Sequence, residues 1–259
     1  MGTGSQRIVV FGAAGWVGRA ILANLRDRHE VRAVDCGPAA WAAYEDLDGA
    51  WEGEVMHGDI ADFEHVRAAM DGMDAVIHAA VLGGVGNGYE AGDDRPWLVN
   101  LKGLWNVLEV ARQRQLRRVV HVGSCQVQHP RGVFFSADVR RPDGSLYAVC
   151  KRLQEEMCRQ FHEAFGLSIV VLRPCSVVDA RLGIDKRRRP LGRQGVGAVC
   201  RHDLAEACRL AVEAEGVRLE VLHIAGLPAA DAFCNAARGR AVLGLTYRGA
   251  LERFPVQGA

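Results

Sequence analysis

The first half of the chain alternates short apolar runs with longer amphipathic segments. Runs rich in β-branched residues predict strands at 7–12, 30–35, 54–59, 74–80, 117–124 and 167–174. Between some of them, periodic apolar positions predict helices at 16–27, 97–114 and 146–165. Strands separated by helical crossovers imply a parallel sheet that is covered on both faces. The pattern therefore predicts an α/β fold with a doubly wound parallel sheet, the Rossmann arrangement.

After Pro174 the pattern weakens. The remaining segments are interpreted, in order, as loop, helix, strand and one or two short terminal helices: 179–201, 202–216, 220–226 and 228–259. The chain shows no repeats and no clear linker, so we expect a single domain over 1–259. Residues 1–173 are expected to be mainly the dinucleotide-binding core. Residues 174–259 are expected to be mainly a small C-terminal substrate lobe, together with the returning helix and strand.

A glycine-rich turn joins the first strand to the first helix. Gly12 permits a tight turn, Gly15 lets the backbone approach a pyrophosphate, and Gly18 lets the helix pack on the strand. The N-terminus of that helix offers unpaired N–H groups and a positive dipole to phosphates. Asp35 ends the second strand, where a carboxylate accepts both ribose hydroxyls and repels a 2′-phosphate. The pattern predicts a dinucleotide site that prefers NAD, with NADP less favoured.

Tyr147 and Lys151 are four residues apart on a predicted helix. Side chains at this spacing share one helical face, so the ammonium lies near the phenol. A phenol with its ordinary pKa of about 10 is a poor base at neutral pH. A nearby ammonium and an oxidised nicotinamide both favour the phenolate and lower that pKa. The pair is therefore a candidate general acid/base.

Several spaced motifs agree with a known superfamily. The glycine turn, the His-Ala-Ala at 78–80, Ser124, and Tyr147 with Lys151 follow one another in the order of the short-chain dehydrogenase/reductases, which this chain resembles. Arg173-Pro174 and the segment 100–106 (Asn-Leu-Lys-Gly-Leu-Trp-Asn) point to the extended branch, the NAD-dependent epimerase/dehydratase family. The resemblance covers about residues 7–226.

The resemblance implies a role for each matched residue. Tyr147 exchanges a proton with the substrate hydroxyl or carbonyl, Lys151 holds the nicotinamide ribose, and Ser124 hydrogen-bonds the reacting oxygen. The substrate contacts are expected to be Ser124, Cys125, Gln126 and Arg181. The expected cofactor contacts, which include the glycine turn, are Gly12, Gly15, Trp16, Val17, Gly18, Asp35, Asp59, Ile60, Ala79, Ala80, Asn100, Tyr147, Lys151 and Pro174.

Departures from the family pattern narrow the chemistry. Family dehydratases place an Asp-Glu pair after the Ser/Thr that corresponds to Ser124, whereas no carboxylate occurs at 125–128 here. Only 86 residues follow Arg173, which is little material to enclose a nucleoside diphosphate. Compact members such as uronate dehydrogenases share this size and a similar segment over 143–151. We expect hydride transfer at a secondary alcohol or ketone of a sugar, a sugar acid or a sugar-like aminocyclitol or natural product.

Two alternatives stay open. The first is a sugar epimerase that uses tightly bound NAD through a transient ketone. The second is a non-catalytic NAD(H)-sensing regulatory protein, which the intact Ser124, Tyr147 and Lys151 argue against because a sensor needs no proton-transfer set. Net cofactor turnover separates a dehydrogenase from an epimerase.

Composition excludes several other classes. The formal net charge of +1 gives no global attraction to nucleic acid or to acidic membranes. No apolar run approaches the roughly 18 residues that span a bilayer, and no secretion signal is evident at the N-terminus. The eight cysteines have no metal-ligand spacing and are expected to be buried in a reducing cytoplasm, with no metal bound.

Three further features carry weaker expectations. The basic run 186–189 is either an anion-capturing loop or a solvated surface loop. The glycine-rich stretch 82–89 either closes over substrate or is a simple connection. By resemblance, a homodimer is expected through the helices at 97–114 and 146–165, where Trp105, Leu108 and Leu153 are candidate contacts or core residues.

Overall fold

The computed structural model describes residues 4–83, 93–129 and 141–256. Its strands are β1 (Arg7–Phe11), β2 (Glu30–Asp35), β3 (Glu54–His57), β4 (Ala75–His78), β5 (Arg118–Val122), β6 (Ile169–Pro174), β7 (Ser176–Asp179), β8 (Ile184–Asp185), β9 (Ala198–Cys200) and β10 (Leu219–Ile224). Seven of them form one parallel sheet in the order β10-β6-β5-β4-β1-β2-β3. The order reverses between β1 and β4. Ligands bind parallel sheets at the carboxyl ends of the strands beside such a switch point.

Helices cover both faces of this sheet. They are α1 (Trp16–Leu25), α2 (Pro38–Ala42), α3 (Glu45–Asp48), α4 (Phe63–Ala69), α5 (Arg95–Trp97), α6 (Gly103–Gln113), α7 (Leu146–Phe165), α8 (Arg201–Glu213) and α9 (Ala236–Leu243). One π turn, Leu98–Lys102, joins α5 to α6. The longest helix, α7, begins where the Ser145 hydroxyl accepts the Ala148 N–H at 3.3 Å and ends at the left-handed Gly166.

The central strands β1, β4, β5 and β6 are buried at almost every position because helices cover both faces of the sheet there. In β1, Ile8 and Val10 pack toward α1 and α8, while Val9 and Phe11 pack toward α4, α6 and α7. Alternate residues of a strand point to opposite faces, so a doubly covered strand needs apolar residues at consecutive positions. The predicted doubly wound α/β fold is confirmed.

The loop predicted over 179–201 is wrong in part. Strands β7, β8 and β9 form a second sheet of three strands in the order β8-β7-β9. These strands are only two to four residues long, too short for an alternating pattern to be visible in the sequence. The division into a core and a substrate lobe remains a prediction. In the described structure, α8 and β10 return to the main sheet, where α8 packs on α1 and β10 pairs with β6.

Candidate active site

The glycine turn lies against the segment that follows β4. Gly12 has φ +80°, and a Cβ added there would lie 2.5 Å from the Ala80 backbone nitrogen. A Cβ on Gly18 would collide with the carbonyl oxygens of Gly12 and Ala13. Only glycine therefore allows the turn, α1 and the 79–80 segment to approach this closely. The Ala79 N–H donates to Phe11 O at 2.9 Å and holds the two strand ends together.

The N-terminal end of α1 follows the glycine turn after β1, one of the two strands at the switch point. Its first intrahelical bond runs from Arg19 N to Gly15 O at 2.9 Å, so the N–H groups of Trp16, Val17 and Gly18 project from the helix end. These N–H groups and the glycine turn fit a dinucleotide pyrophosphate. The Trp16 side chain points elsewhere, because its indole N–H donates to Val177 O at 3.3 Å. The predicted cofactor contact of Trp16, which stays a prediction, would therefore use its backbone N–H.

Asp35 ties the glycine turn to the end of β2. One carboxylate oxygen accepts the Ala14 N–H at 2.9 Å and the other accepts the Cys36 N–H at 2.8 Å. A carboxylate has about four acceptor positions, so these two bonds leave lone pairs for ribose hydroxyls. In this geometry Asp35 shapes the turn and still keeps acceptor positions for the predicted ribose contact.

Asp59 lies beyond β3 and is paired with Arg95, which the sequence did not single out. Arg95 Nη1 donates to Asp59 Oδ2 at 2.6 Å, and the Ala61 N–H donates to Oδ1 at 2.9 Å. Partial burial raises the pKa of Asp59, but the Arg95 and Ala61 hydrogen bonds outweigh it, so the pKa is lowered. The neighbouring Ile60 is buried, and its carbonyl accepts an N–H of Asn106 at 2.9 Å.

Asn100 braces the chain after β4. Its side-chain oxygen accepts the Leu82 N–H at 2.9 Å, and its amide donates to Leu82 O at 2.6 Å. Gln154 on α7 donates to Asn100 O at 2.6 Å. The side chain of Asn100 is thus engaged by backbone, and its proposed contact with a cofactor stays a prediction. Pro174, another predicted contact, is buried at the carboxyl end of β6 opposite Ile224.

Lys151 brings Tyr147 toward the carboxyl end of β5, where the chain continues to Ser124. Lys151 Nζ donates to Val122 O at 2.9 Å and lies 5.8 Å from the Tyr147 ring centroid. Ser124 follows two residues after Val122 and caps the short 3-10 turn Cys125–Val127, where its Oγ accepts the Gln126 N–H at 3.2 Å. Lys151 is only 3% exposed, and this burial lowers its pKa to about 8.

The buried lysine predicts a specific pH dependence. Between pH 8 and 10 the unfolded chain holds the Lys151 proton and the folded chain does not, so rising pH favours folding. Across this window we expect the wild type to gain on the order of 2–3 kcal/mol of stability relative to Lys151→Met. Urea unfolding at several pH values measures the gap, with the exposed Lys102→Met as the matched control. A gap that does not change with pH would contradict a burial-lowered lysine pKa.

Beneath this site lies a pair of imidazoles. His78 and His121 face each other across β4 and β5, with their Nδ1 atoms 3.1 Å apart. Burial and the Lys151 charge lower the pKa of His78 to about 3, and the same causes lower that of His121. Both rings are therefore neutral at pH 7, with one Nδ1 donating and the other accepting. Both rings are fully buried and therefore belong to the core of the sheet.

Arg173 joins the three segments around the site. It donates to both carboxylate oxygens of the buried Glu155 on α7, and its Nη1 donates to Gln128 Oε1 at 2.6 Å. The sequence singled out Arg173 only as part of the Arg-Pro motif. Its partners Glu155 and Gln128 lie on other segments of the chain and could not be predicted from that motif. Of the predicted substrate contacts, Cys125 and half-buried Gln126 share the Ser124 turn. Arg181 lies after β7, where its N–H donates to Asp179 at 2.8 Å.

The basic run 186–189 is engaged in internal ion pairs at two positions. Arg188 donates to both oxygens of Asp46 at 2.7 and 2.8 Å, and Arg189 pairs with Asp185 at 2.6 Å. These pairs favour the surface-loop interpretation for Arg188 and Arg189. Of the glycine-rich stretch 82–89, residues from 84 onward lie outside the described residues. Across 4–83, 93–129 and 141–256, no group of three potential ligands is arranged to hold a metal ion.

The fold and the Tyr147–Lys151 pair define a Rossmann protein of the short-chain dehydrogenase/reductase type. A model of the NAD dependent epimerase/dehydratase family matches residues 8–192. The chain belongs to this family, which confirms the resemblance drawn from its motifs.

Two relatives and one solved structure illustrate the likeness. A Mycobacterium tuberculosis 3 beta-hydroxysteroid dehydrogenase/Delta 5-->4-isomerase is 34% identical over 179 residues, which are 66% of this chain and 47% of the relative. A Pseudomonas putida uronate dehydrogenase is 31% identical over 176 residues, 65% of this chain and 60% of the relative. The chain thus spans about half to three fifths of the length of these relatives. A short-chain dehydrogenase/reductase superfamily protein from Agrobacterium tumefaciens, solved with bound NAD, superposes with a TM-score of 0.74 at 21% identity, covering 95% of this chain and 94% of that one.

Within the described parts of the chain, the helices lack the length and apolar character that crossing a bilayer would require.

Proposed function

We propose that this protein is an NAD-dependent oxidoreductase that interconverts a secondary alcohol and a ketone on a sugar, sugar acid or sugar-like substrate. The observation that carries the proposal is that Lys151 is buried next to Tyr147 and donates to Val122 O at the end of β5. Ser124 follows Val122 by two residues. Support for the reaction class comes from relatives named as dehydrogenases, and support for a sugar acid comes from the uronate dehydrogenase.

Each part of the cofactor has residues that suit it. The N-terminus of α1 suits the pyrophosphate, Asp35 suits a ribose without a 2′-phosphate, and Asp59 with Ile60 suits the adenine. Ala79 follows β4 and Pro174 ends β6, the two strands on either side of β5, whose last residue Val122 accepts a hydrogen bond from Lys151. When bound there, nicotinamide supplies the acceptor or donor of a hydride.

The chain's own residues move the proton. In oxidation Tyr147, as the phenolate, takes a proton from the substrate hydroxyl and becomes the neutral phenol, and in reduction the phenol returns that proton. The Lys151 ammonium stabilises negative charge on that oxygen. Because Ser124 Oγ already accepts the Gln126 N–H, its own proton is available to hydrogen-bond the reacting substrate oxygen.

The proposal also covers the C-terminal lobe, the oligomeric state and the cellular compartment. Residues after Pro174, including the sheet β8-β7-β9, are assigned to substrate recognition. Trp105 on α6 and Leu153 on α7 are 45% and 44% exposed and support a homodimer through these helices, whereas Leu108 is fully buried and belongs to the core. All eight cysteines are free, which supports a reducing cytoplasm.

Separate titrations with NADH and NADPH test the proposal. Binding is monitored by energy transfer from the five Trp residues to the nicotinamide. Binding of NADH with much weaker binding of NADPH is the expected result. A panel of sugar acids and polyols, followed at 340 nm, then finds the substrate. A compound that is isomerised without net NADH formation would replace the dehydrogenase by an epimerase, and a protein that binds neither dinucleotide would remove the proposal.

Gly12→Ala provides a sharp check on the cofactor assignment. The new methyl would meet the Ala80 backbone nitrogen at 2.5 Å, at a φ of +80° that an L side chain rarely adopts. We expect NADH affinity to fall at least about tenfold, because the turn must shift away from the pyrophosphate position. Gly192→Ala, where nothing lies within 4 Å of the added Cβ, is the matched control. Equal NADH affinity in both variants would contradict the assignment.

A further inference from the structure

One guanidinium on α7 connects two segments that flank the candidate active site. Arg152 Nε donates to Val127 O at 3.2 Å, at the end of the short 3-10 turn that Ser124 caps. The other two nitrogens contact the segment that leads into α7, where Nη1 donates to Asp143 O at 2.9 Å and Nη2 donates to Arg141 O at 2.9 Å. Arg152 therefore bridges the Ser124 turn and the segment before α7.

The three acceptors of Arg152 are backbone carbonyl oxygens, and they belong to two separate parts of the chain. A guanidinium is planar and holds its five N–H donors in a fixed fork. It can therefore set both the distance and the angle between two backbone segments. A backbone hydrogen bond runs between the same segments, from the Arg141 N–H to Gln128 O at 3.2 Å. The contact thus depends on backbone positions on both sides.

The segment before α7 is held to the helix by local hydrogen bonds. The Asp143 carboxylate accepts the Ser145 N–H at 3.0 Å, and the Ser145 hydroxyl caps the N-terminus of α7. Tyr147 is the second residue of this helix, and Arg152 follows it by five positions. Arg152 and its contact at Asp143 therefore belong to the same unit as Tyr147. The hydrogen bond to Val127 connects this unit to the Ser124 side of the site.

We propose that Arg152 is a positioning residue that holds the Ser124 turn at a fixed distance from Tyr147. The proposed reaction requires the Ser124 hydroxyl and the Tyr147 phenol to reach the same substrate oxygen, although they lie on separate segments. Arg152 acts through the Val127 carbonyl, three residues after Ser124, and does not itself contact the substrate. The inference rests on the proposed function for its effect on turnover, whereas the anchoring of the turn does not depend on that function.

Arg118 offers a matched control with the same chemistry at the opposite end of β5. It is the first residue of that strand, is buried, and donates to Val217 O at 2.8 Å and to Ala214 O at 2.7 Å. Like Arg152, it holds a distant segment through backbone carbonyl oxygens. The Ser124 turn follows the other end of β5. Arg118→Met therefore removes a comparable contact that is remote from the site.

Amide hydrogen exchange of the 259-residue chain, without cofactor or substrate, tests the anchoring. In Arg152→Met, exchange of a peptide over 124–129 should become at least about fivefold faster, because the turn opens more often once the bond to Val127 O is lost. In Arg118→Met, exchange of that peptide should match the wild type. Unchanged exchange in Arg152→Met would overturn the inference.

Turnover distinguishes positioning from a general loss of stability. In Arg152→Met we expect kcat to fall about 10–100-fold while NADH affinity changes less than about twofold, because a displacement of about 1 Å between reacting groups has an effect of this size. Arg152→Lys keeps the charge without the fork and should recover little of the lost kcat. Arg118→Met should keep the wild-type kcat. A wild-type kcat in Arg152→Lys would show that charge alone suffices and would overturn the proposal.

A double variant tests whether Arg152 acts through Ser124. If it does, adding Arg152→Met to Ser124→Ala should change kcat by less than about threefold. Losses that multiply in the double variant would overturn this route. A wild-type chain that turns over no compound of the panel would remove the proposed function and leave the exchange result standing. An active wild type with an unchanged kcat in Arg152→Met would remove only the positioning role.

Discussion

Replacing Tyr147 by Phe is expected to lower kcat by a factor of about 10²–10⁴ while NADH affinity changes little. The phenylalanine ring preserves the packing at the start of α7 and removes only the oxygen that exchanges a proton. The contribution of a positioned general acid/base sets the size of the effect. The measurement is steady-state turnover of a substrate found in the panel, together with NADH titration of the same preparation. Because the phenol acts in the chemical step, kcat should fall much more than KM changes.

Tyr247→Phe is the matched control for this prediction. The Tyr247 hydroxyl accepts the Ala225 N–H at 3.2 Å in the C-terminal part of the chain, and burial raises its pKa to about 12. Its removal should cost about 1 kcal/mol of stability without loss of turnover. Full activity in Tyr147→Phe would refute the acid/base role. If the protein's cellular role also survived, the NAD(H)-sensing alternative would take the place of the enzyme.

Elements of the main sheet could be predicted because each one carries its own signal. Strand β2 and helix α7 both occur at the predicted residues. For α7 the reason is its length, because a long helix repeats its apolar period several times. The same local logic brought Tyr147 and Lys151 onto one face and put the glycine turn between β1 and α1. These parts of the candidate site depend only on residues that are close to one another in the sequence.

Features that depend on distant partners left no such signal. Arg95 and Asp59 are 36 positions apart, and Arg173 finds Glu155 and Gln128 on two different elements. No local period predicts pairings of this kind, which follow from the order of strands in the sheet. The short strands β7 and β9 were missed for a related reason, because they pack beside α8, which lies further along the chain.

The strongest of these long-range features is the cluster around Arg201 at the start of α8. Its guanidinium donates to Asp179 Oδ2 at 2.6 Å and to both oxygens of Asp48 at 2.7 Å. It also lies 4.2 Å from the centroid of the Trp16 ring. Arg201 is 1% exposed and Asp179 is fully buried. One side chain therefore joins β7, α3 and the first residue of α1.

Arg201→Met is expected to lower the free energy of unfolding by about 3–5 kcal/mol, because it leaves the buried Asp179 carboxylate without its cationic partner. Arg188→Met, which breaks the half-exposed pair with Asp46, should cost no more than about 1 kcal/mol. Urea unfolding of both variants at pH 7 makes the comparison. Equal losses in the two variants would show that burial does not govern the strength of the Arg201 cluster.

Lowering the pH tests the same cluster through Asp179. Burial raises the pKa of this carboxyl, but hydrogen bonds from His202, the Leu182 N–H and Arg201 outweigh burial and hold the pKa well below its ordinary value. Stability from a depressed carboxyl pKa is present above the unfolded value of about 3.9 and is lost as pH falls below it. In Arg201→Met, part of the stabilisation by the ionised Asp179 carboxylate is already lost at neutral pH. The stability gap between wild type and variant should therefore narrow as the pH falls from 5 to 3, and a gap that widens would place the stabilising charge elsewhere.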